Sequence, residues 1–247
     1  MIPAAKPIIG DEEREAVDRV LRSGMIAGGP EVAAFEQEFS AQLVDGRSVV
    51  AVNSGTAGSH LGLIAAGVGP GDEVIVPSFT FAATANSVAL AGGTPVFADI
   101  EQDFFCLDPA AVEAAITPRT KLILFNTPHN PTGRVFSRDE VQLIADLAIE
   151  HDLLVVTYEV YEHLLFDGVE HIPLAALPGM RERTLVISSG GKTFNTTGWK
   201  IGWVCGPAAL VGAVRTAKQF LTYVNGGPFQ PAIAVGLGLP DSFFSEV

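Results

Sequence analysis

Cysteine, clustered histidine and long apolar runs are scarce or missing in this 247-residue sequence. Its two cysteines, Cys106 and Cys205, lie far apart and form no CxxC pair, and its five histidines show no metal-ligand spacing such as HExxH. No apolar run approaches membrane-spanning length, and the N-terminus has no signal-peptide core. The sequence therefore predicts a cytoplasmic protein without a disulfide framework, a structural metal site or a membrane segment.

Positive charge is also scarce. The chain has 15 Lys and Arg residues against 28 Asp and Glu residues, which gives a net charge of −13. Such an acidic protein is repelled by nucleic acid and by anionic membranes, so neither is expected as a partner. Any anion that binds must be held by local hydrogen-bond donors. The 48% hydrophobic and 17% charged content predicts an ordinary globular protein, and the length allows one large domain or a domain plus a fragment of another.

Short β-branched runs alternate with helical patterns along most of the chain. Six such runs predict strands, at residues 48–53, 72–77, 94–100, 121–126, 153–157 and 183–188. Because these runs are continuously apolar, they predict a mostly parallel sheet covered on both faces, which is a three-layer α/β fold. Ser137 and Glu140 form a capping box, and the helix that follows has an apolar stripe of Val141, Ile144, Ala145 and Ala148.

The ends of two predicted strands carry polar groups that a ligand could use. Ligands of parallel sheets bind beyond the carboxyl ends of the strands. Ser54, Gly55 and Thr56 stand where the first strand becomes a helix, where free backbone N–H groups favour a phosphate; an ordinary helix cap has the same pattern. The loop NTPHNPTG holds Asn130 in a rigid turn, for which a surface Asn-Pro turn is the alternative.

A third strand end carries Lys192, one of five lysines in the chain, after two glycines. A lysine held at such a position can form a Schiff base with a carbonyl compound, although most lysines are simply solvated. Ser189 and Lys200 flank it with groups suited to phosphate. Phosphate, hydroxyl and carbonyl chemistry thus occur together at three strand ends, which favours one shared site.

Four spaced motifs occur in order within residues 121–247: NTPHNPTG, EVYEHL, SSGGKTFNTTGWKIGW and AKQFLTYVNGGPFQPA. They resemble motifs of class I/II aminotransferases of the fold-type I pyridoxal phosphate (PLP) superfamily, especially kynurenine and succinyldiaminopimelate aminotransferases. AVNSGTAGSHLGL, GDEVIVPSFTFAATANSVALAGGTPVFADI and LDPAAVEAAITPRTK, within residues 3–121, resemble the DegT/DnrJ/EryC1/StrS sugar aminotransferases. The resemblance implies a chimera within one large domain, with a helical segment at 1–45, a DegT-like half at 46–121 and a class I/II-like half at 122–247.

The resemblance also implies roles for individual residues. Lys192 would be the Schiff-base partner of PLP and then the general base of the proton shift, while Asn130 and Tyr161 would contact the phenolic oxygen of the cofactor. Phe81 would stack on the pyridine ring, for which core packing is an equal alternative. The residues expected to bind the cofactor are Gly55, Thr56, Phe81, Asn130, Tyr158, Tyr161, Ser189, Lys192 and Lys200, of which Lys192 and Tyr161 are catalytic and Gly55, Thr56, Ser189 and Lys200 hold the phosphate.

Tyr158 departs from the resembled pattern. The class I/II family has an Asp at this position, and that Asp pairs with the pyridine nitrogen of the cofactor. A carboxylate there keeps the nitrogen protonated, which makes the ring an electron sink, whereas a neutral phenol with a reference pKa of about 10 supplies no such charge. Glu159 should not substitute, because successive strand residues point to opposite faces.

The expected function is transfer of an amino group from an amino-acid donor to a keto-acid or sugar acceptor, with PLP as the cofactor. The resemblance implies a homodimer with active sites at the subunit interface. It also implies that the small C-terminal domain of class I/II relatives, which binds the substrate carboxylate, is absent. The alternative is a catalytically impaired or inactive scaffold of the same fold, because of Tyr158 and the absent domain. A dehydrogenase is disfavoured, since no GxGxxG fingerprint is present.

Overall fold

One sheet organises the part of the chain that the computed structural model describes, residues 7–224 and 226–244. Its seven strands are β1 (Ser48–Val52), β2 (Glu73–Pro77), β3 (Thr94–Ala98), β4 (Thr120–Asn126), β5 (Leu154–Tyr158), β6 (Thr184–Ser189) and β7 (Gly202–Gly206). Their order across the sheet is β1-β7-β6-β5-β4-β2-β3. β3, β2, β4, β5 and β6 run parallel to one another, whereas β7 runs antiparallel to its neighbours β1 and β6.

Helices cover both faces of this sheet. They are α1 (Asp11–Ser23), α2 (Pro30–Leu43), α3 (Gly55–Ala65), α4 (Ala83–Leu90), α5 (Pro109–Ala115), α6 (Arg138–Glu150), α7 (Gly190–Thr193), α8 (Ala208–Leu221), α9 (Gln230–Leu237) and α10 (Asp241–Phe244). α3, α4 and α8 pack on one face. α5 and α6 cover one half of the opposite face, and α2 and α9 cover the other half. None of the described helices is both long and apolar enough to cross a membrane.

The expected three-layer α/β fold is confirmed, and each of the six predicted strands overlaps an observed one. The local signals of α6 are confirmed as well. Ser137 caps the helix by accepting the N–H of Glu140, whose carboxylate accepts the N–H of Ser137 at 2.7 Å. The four residues of the predicted apolar stripe, Val141, Ile144, Ala145 and Ala148, are all buried beneath the sheet.

β7 and α8 were not predicted from the sequence. β7 is bounded by two glycines, and glycine is depleted in strands, so its pattern does not read as a strand. The neighbouring strand β6 explains why both positions are glycine. A Cβ atom at Gly202 would lie 2.9 Å from the Ser188 carbonyl oxygen, and one at Gly206 would lie 2.7 Å from that of Thr184. Glycine is required there because the backbones approach so closely.

Candidate active site

A cavity of about 220 Å³ lies at the carboxyl edge of the sheet. All nine residues that the sequence analysis assigned to cofactor binding line it: Gly55, Thr56, Phe81, Asn130, Tyr158, Tyr161, Ser189, Lys192 and Lys200. They meet because β1, β4, β5 and β6 all end at this edge. Asn53, Ser54, Gly191, Thr197 and Ile201 also line the cavity and were not assigned. Each of these five residues is within two positions of an assigned residue or lies in the motif SSGGKTFNTTGWKIGW.

One wall of the cavity is the N-terminus of α3. Ser54 caps the helix by accepting the N–H of Ala57 at 3.1 Å. The N–H groups of Gly55 and Thr56 have no acceptor within the helix, and the helix dipole favours an anion beside them. Lys200 lines the same cavity from a left-handed backbone conformation, with φ of 61°. Such a conformation is uncommon for a non-glycine residue such as lysine.

A second wall carries the lysine and a paired amide and phenol. Asn130 Nδ2 donates a hydrogen bond to Tyr161 Oη at 3.1 Å, and Lys192 Nζ lies 5.9 Å from the centre of the Tyr161 ring. Asn126, which begins the NTPHNPTG loop, fixes the loop by accepting the Asn130 N–H at 2.8 Å and donating to the Tyr158 carbonyl at 2.9 Å. Because Asn126 is buried, its amide can serve as this internal anchor.

Tyr158 reaches across the floor of the cavity to α3. A Cβ atom at Gly55 would lie 2.7 Å from the Tyr158 hydroxyl oxygen. Burial raises the pKa of Tyr158 to about 12; the nearby Tyr161 adds to this rise and the Thr56 hydroxyl opposes it. The phenol is therefore neutral at every pH near neutrality. The resemblance implies that Tyr158 stands where relatives have the Asp that pairs with the pyridine nitrogen, and the structure shows its hydroxyl beside the helix N-terminus.

The opposite face of β5 carries a separate buried acid cluster. Glu159 Oε2 lies 2.7 Å from His171 Nε2, and both side chains are buried. Ser188 Oγ donates to Glu162 Oε1 at 2.7 Å. Burial, followed by the nearby Glu159, raises the pKa of Glu162 to about 7. Glu159 thus points away from the cavity, as predicted. The cluster fixes Glu159 and Glu162, which lie before and after Tyr161 in the chain.

This cluster predicts a pH dependence of stability. The pKa of Glu162 is about 7 in the folded state, above its ordinary value of 4.5. Its protonated carboxyl therefore stabilises the fold fully below pH 4.5, and this contribution is lost as the pH rises from 4.5 through about 7. Glu162→Gln keeps the acceptor for Ser188 and removes the titration, and the side chain is only 23% exposed. We therefore expect the variant to be more stable than the parent at pH 8 by about 1–2 kcal/mol.

Urea unfolding at pH 5 and at pH 8 measures this difference. The exposed Glu182, changed to Gln, is the matched control and should leave the pH dependence unchanged. If the parent and Glu162→Gln lose the same free energy of unfolding between the two pH values, Glu162 is not the titrating group.

Comparisons with known proteins agree with this geometry. The DegT/DnrJ/EryC1/StrS aminotransferase family matches residues 7–157. The "Probable N-succinyldiaminopimelate aminotransferase DapC" of Mycobacterium tuberculosis is 46% identical over 200 residues, which cover 80% of this chain and 49% of that protein. Kynurenine–oxoglutarate transaminase 3 of Rattus norvegicus is 41% identical over 201 residues, which cover 77% of this chain and 44% of that protein.

Solved structures show the same likeness. The N-succinyldiaminopimelate aminotransferase of Mycobacterium tuberculosis superimposes with a TM-score of 0.90 at 38% identity, over 98% of this chain and 66% of that one. Aspartate aminotransferase of Thermus thermophilus superimposes with a TM-score of 0.86 at 30% identity, over 98% of this chain and 65% of that one.

The chain spans about half the length of the curated relatives it matches. The family match runs past residue 121, and the division into two halves at that position stays a prediction. A match over more than half of the chain, joined to a fold shared with solved aminotransferases, shows that the chain belongs to the DegT/DnrJ/EryC1/StrS aminotransferase family, within the fold-type I aminotransferase superfamily.

Proposed function

We propose that this chain binds PLP and transfers an amino group from an amino-acid donor to a keto acceptor. One observation carries the proposal: an amine, an amide-phenol pair and a helix N-terminus line the same cavity. PLP carries an aldehyde, a phenolic oxygen and a phosphate, so each group of the cofactor has a matching group in the protein. The relatives, which are named as aminotransferases, support the same reaction.

The donor set fits the cofactor group by group. The N–H groups of Gly55 and Thr56, with Ser189 and Lys200, suit a phosphate. The phosphate would thus be held at the first turn of α3, against the chain's net negative charge. Among the residues that the structure describes, Asn53 Oδ1 is buried without a hydrogen-bond partner; Asn53 lines this cavity, so a ligand could satisfy it.

The aromatic residue expected on the ring is available for stacking. Phe81 lines the cavity and is 55% exposed, which disfavours the alternative that it is a core residue. Covering an exposed aromatic face is favourable, and a flat heteroaromatic ring is a suitable cover.

The protein's own groups then have definite tasks. When bound, the cofactor supplies an electron-accepting ring that stabilises negative charge at the substrate α-carbon. Lys192 Nζ holds the aldehyde end in place and, as a free amine, accepts and returns the proton of that carbon as a general base. Tyr161 Oη accepts from Asn130, which leaves its own O–H free to donate into the cavity towards the phenolic oxygen.

Addition of PLP to the purified chain tests this proposal. We expect a new visible absorption band, and after borohydride reduction a phosphopyridoxyl group on the peptide that contains Lys192. Pyridoxine 5′-phosphate, which lacks the aldehyde, is the matched control and should give neither signal. If PLP gives no band and no labelled Lys192 peptide, the proposal is wrong.

A second candidate is a protein of the same fold that binds the cofactor without fast turnover. Tyr158 favours it, because this neutral phenol lies where the resembled family has a carboxylate. A labelled Lys192 without conversion of any amino acid would support this second function and exclude the first. The identity of the substrates also belongs to the proposal. The donor would be an amino acid and the acceptor a keto acid or a sugar, and the relatives' names indicate amino and keto acids.

We also propose a homodimer in a reducing cytoplasm. Phe79, Phe81, Phe104 and Phe105 are each about half exposed, and Phe79 contacts Phe105 with ring centres 6.2 Å apart. Such an exposed aromatic surface, which includes the cavity residue Phe81, suits an interface between two copies of the chain. Both cysteines are free and buried, which suits a reducing compartment. Light scattering of the purified chain should give twice the mass of 25.9 kDa; a monomer at all concentrations would contradict it.

A further inference from the structure

The Tyr158 side chain lies against Gly55, the first residue of the proposed phosphate site. The position of a Cβ atom at Gly55 would be 2.7 Å from both Cε2 and the hydroxyl oxygen of Tyr158, and 2.9 Å from Cζ. These distances are shorter than any ordinary carbon contact, so the ring lies directly against the first residue of α3. The cavity of about 220 Å³ is what remains beside that ring.

The ring is held in this place by its surroundings. Val156 and Tyr158 point to the same face of β5, and Tyr158 packs against the apolar cluster between the sheet and α3. Its hydroxyl is near the Thr56 side chain and Tyr161, at the polar end of the cavity. The apolar ring is thus covered by the cluster, and the hydroxyl is beside polar groups, which is the arrangement that favours a buried tyrosine.

We propose that Tyr158 is an internal plug that competes with the phosphate of PLP for the N-terminus of α3, so that the affinity of this chain for the cofactor is limited by displacement of the Tyr158 ring. The inference rests on the proposed function, because it concerns the same cavity. A phosphate must approach the N–H groups of Gly55 and Thr56, and the ring lies against Gly55 on the side where a side chain would project. When the ring is displaced in only a fraction of the molecules, the apparent affinity equals the intrinsic affinity multiplied by that fraction.

The size of the side chain, rather than its hydroxyl, should then control binding. Tyr158→Ser removes the ring, adds no charge and frees the space above Gly55. Tyr158→Phe removes only the hydroxyl and keeps the ring against Gly55. Tyr158→Val also removes the ring and keeps a strand-forming apolar residue at the end of β5, which guards against a serine variant that folds poorly.

The experiment is calorimetric titration with inorganic phosphate, and separately with PLP, of the parent chain and the three variants. We expect Tyr158→Ser and Tyr158→Val to bind both ligands about tenfold more tightly or better, and Tyr158→Phe to bind them like the parent. Equal or weaker binding by both ring-deleted variants, with folding confirmed by circular dichroism, would overturn the proposal. Tightening by Tyr158→Phe alone would also overturn it, since the hydroxyl would then be the obstacle.

Inorganic phosphate separates this inference from the proposed function. Phosphate has no aldehyde, so its binding does not require Lys192, and Lys192→Ala in the Tyr158→Ser background should keep the tighter phosphate binding. Tighter phosphate binding without a PLP-labelled Lys192 would support the plug and contradict the proposed function. A labelled Lys192 in the parent, with equal affinities in the parent and the ring-deleted variants, would support the function and contradict the plug.

Discussion

Lys192→Ala is expected to abolish the visible absorption band that PLP gives with the parent chain, and to slow amino-group transfer by roughly 10³-fold or more. Alanine has no amine to hold the aldehyde carbon of the cofactor and none to move the proton of the substrate α-carbon. Lys192 stands after two glycines at the end of β6, and Gly191 allows Thr197 to approach, since a Cβ atom at Gly191 would lie 3.1 Å from the Thr197 Cα atom. The amine is therefore held by a compact turn.

Lys200→Ala is the matched control, because Lys200 lines the same cavity and carries the same charge. Its proposed task is to contact the phosphate, so its loss should weaken PLP binding by about 10- to 100-fold, the effect of one charged hydrogen bond. The absorption band should nevertheless form at saturating PLP. A Lys192→Ala variant that keeps both the band and the rate would show that the carbonyl chemistry lies elsewhere.

Tyr158→Asp is expected to speed the conversion of a bound amino acid by roughly 10²-fold relative to the parent. A carboxylate beside the ring nitrogen keeps it protonated, whereas the Tyr158 phenol is neutral because its pKa is raised to about 12. The measurement is rapid mixing of each PLP-loaded protein with L-glutamate and with a panel of other L-amino acids, while the cofactor absorbance is followed. Using loaded protein removes the difference in affinity from the comparison.

Tyr158→Asn is the control that separates charge from space. Asparagine has nearly the size of aspartate and also removes the ring from Gly55, but it carries no charge. The variant with Asp should therefore react faster than the variant with Asn, and the variant with Asn should resemble the parent once each is loaded. Equal rates for Asp and Asn would refute the argument from charge, and equal rates for all three proteins would show that position 158 does not limit the reaction.

Features that depend on neighbours in the chain were predictable from the sequence. The capping box of Ser137 and Glu140 and the buried stripe of α6 follow from contacts three and four residues apart, which any helix of that sequence makes. The strands were predictable where their apolar runs were continuous. β7 was not, because Gly202 and Gly206 are required by the carbonyl oxygens of Ser188 and Thr184 on β6, which are distant in the chain.

The candidate site was predictable as a set of residues for a similar reason. Gly55, Asn130 and Lys192 are separated by long stretches of chain, but each follows a strand, and parallel strands end at the same edge of the sheet. The hydrogen bond of Asn126 to the backbone of β5 was not predictable, because no pattern of residue types reveals such a partner.

The sequence by itself determined the class of fold, the set of residues suited to phosphate and carbonyl chemistry, and the presence of a phenol where the resembled family has an acid. Only the tertiary structure decided that Tyr158 reaches the first turn of α3 and that Glu159 and Glu162 join His171 and Ser188 behind the sheet. The physical reason is that side-chain direction along a strand is a local property, whereas what a side chain touches depends on the spacing of packed elements. That spacing is set by the whole core between β5 and α3.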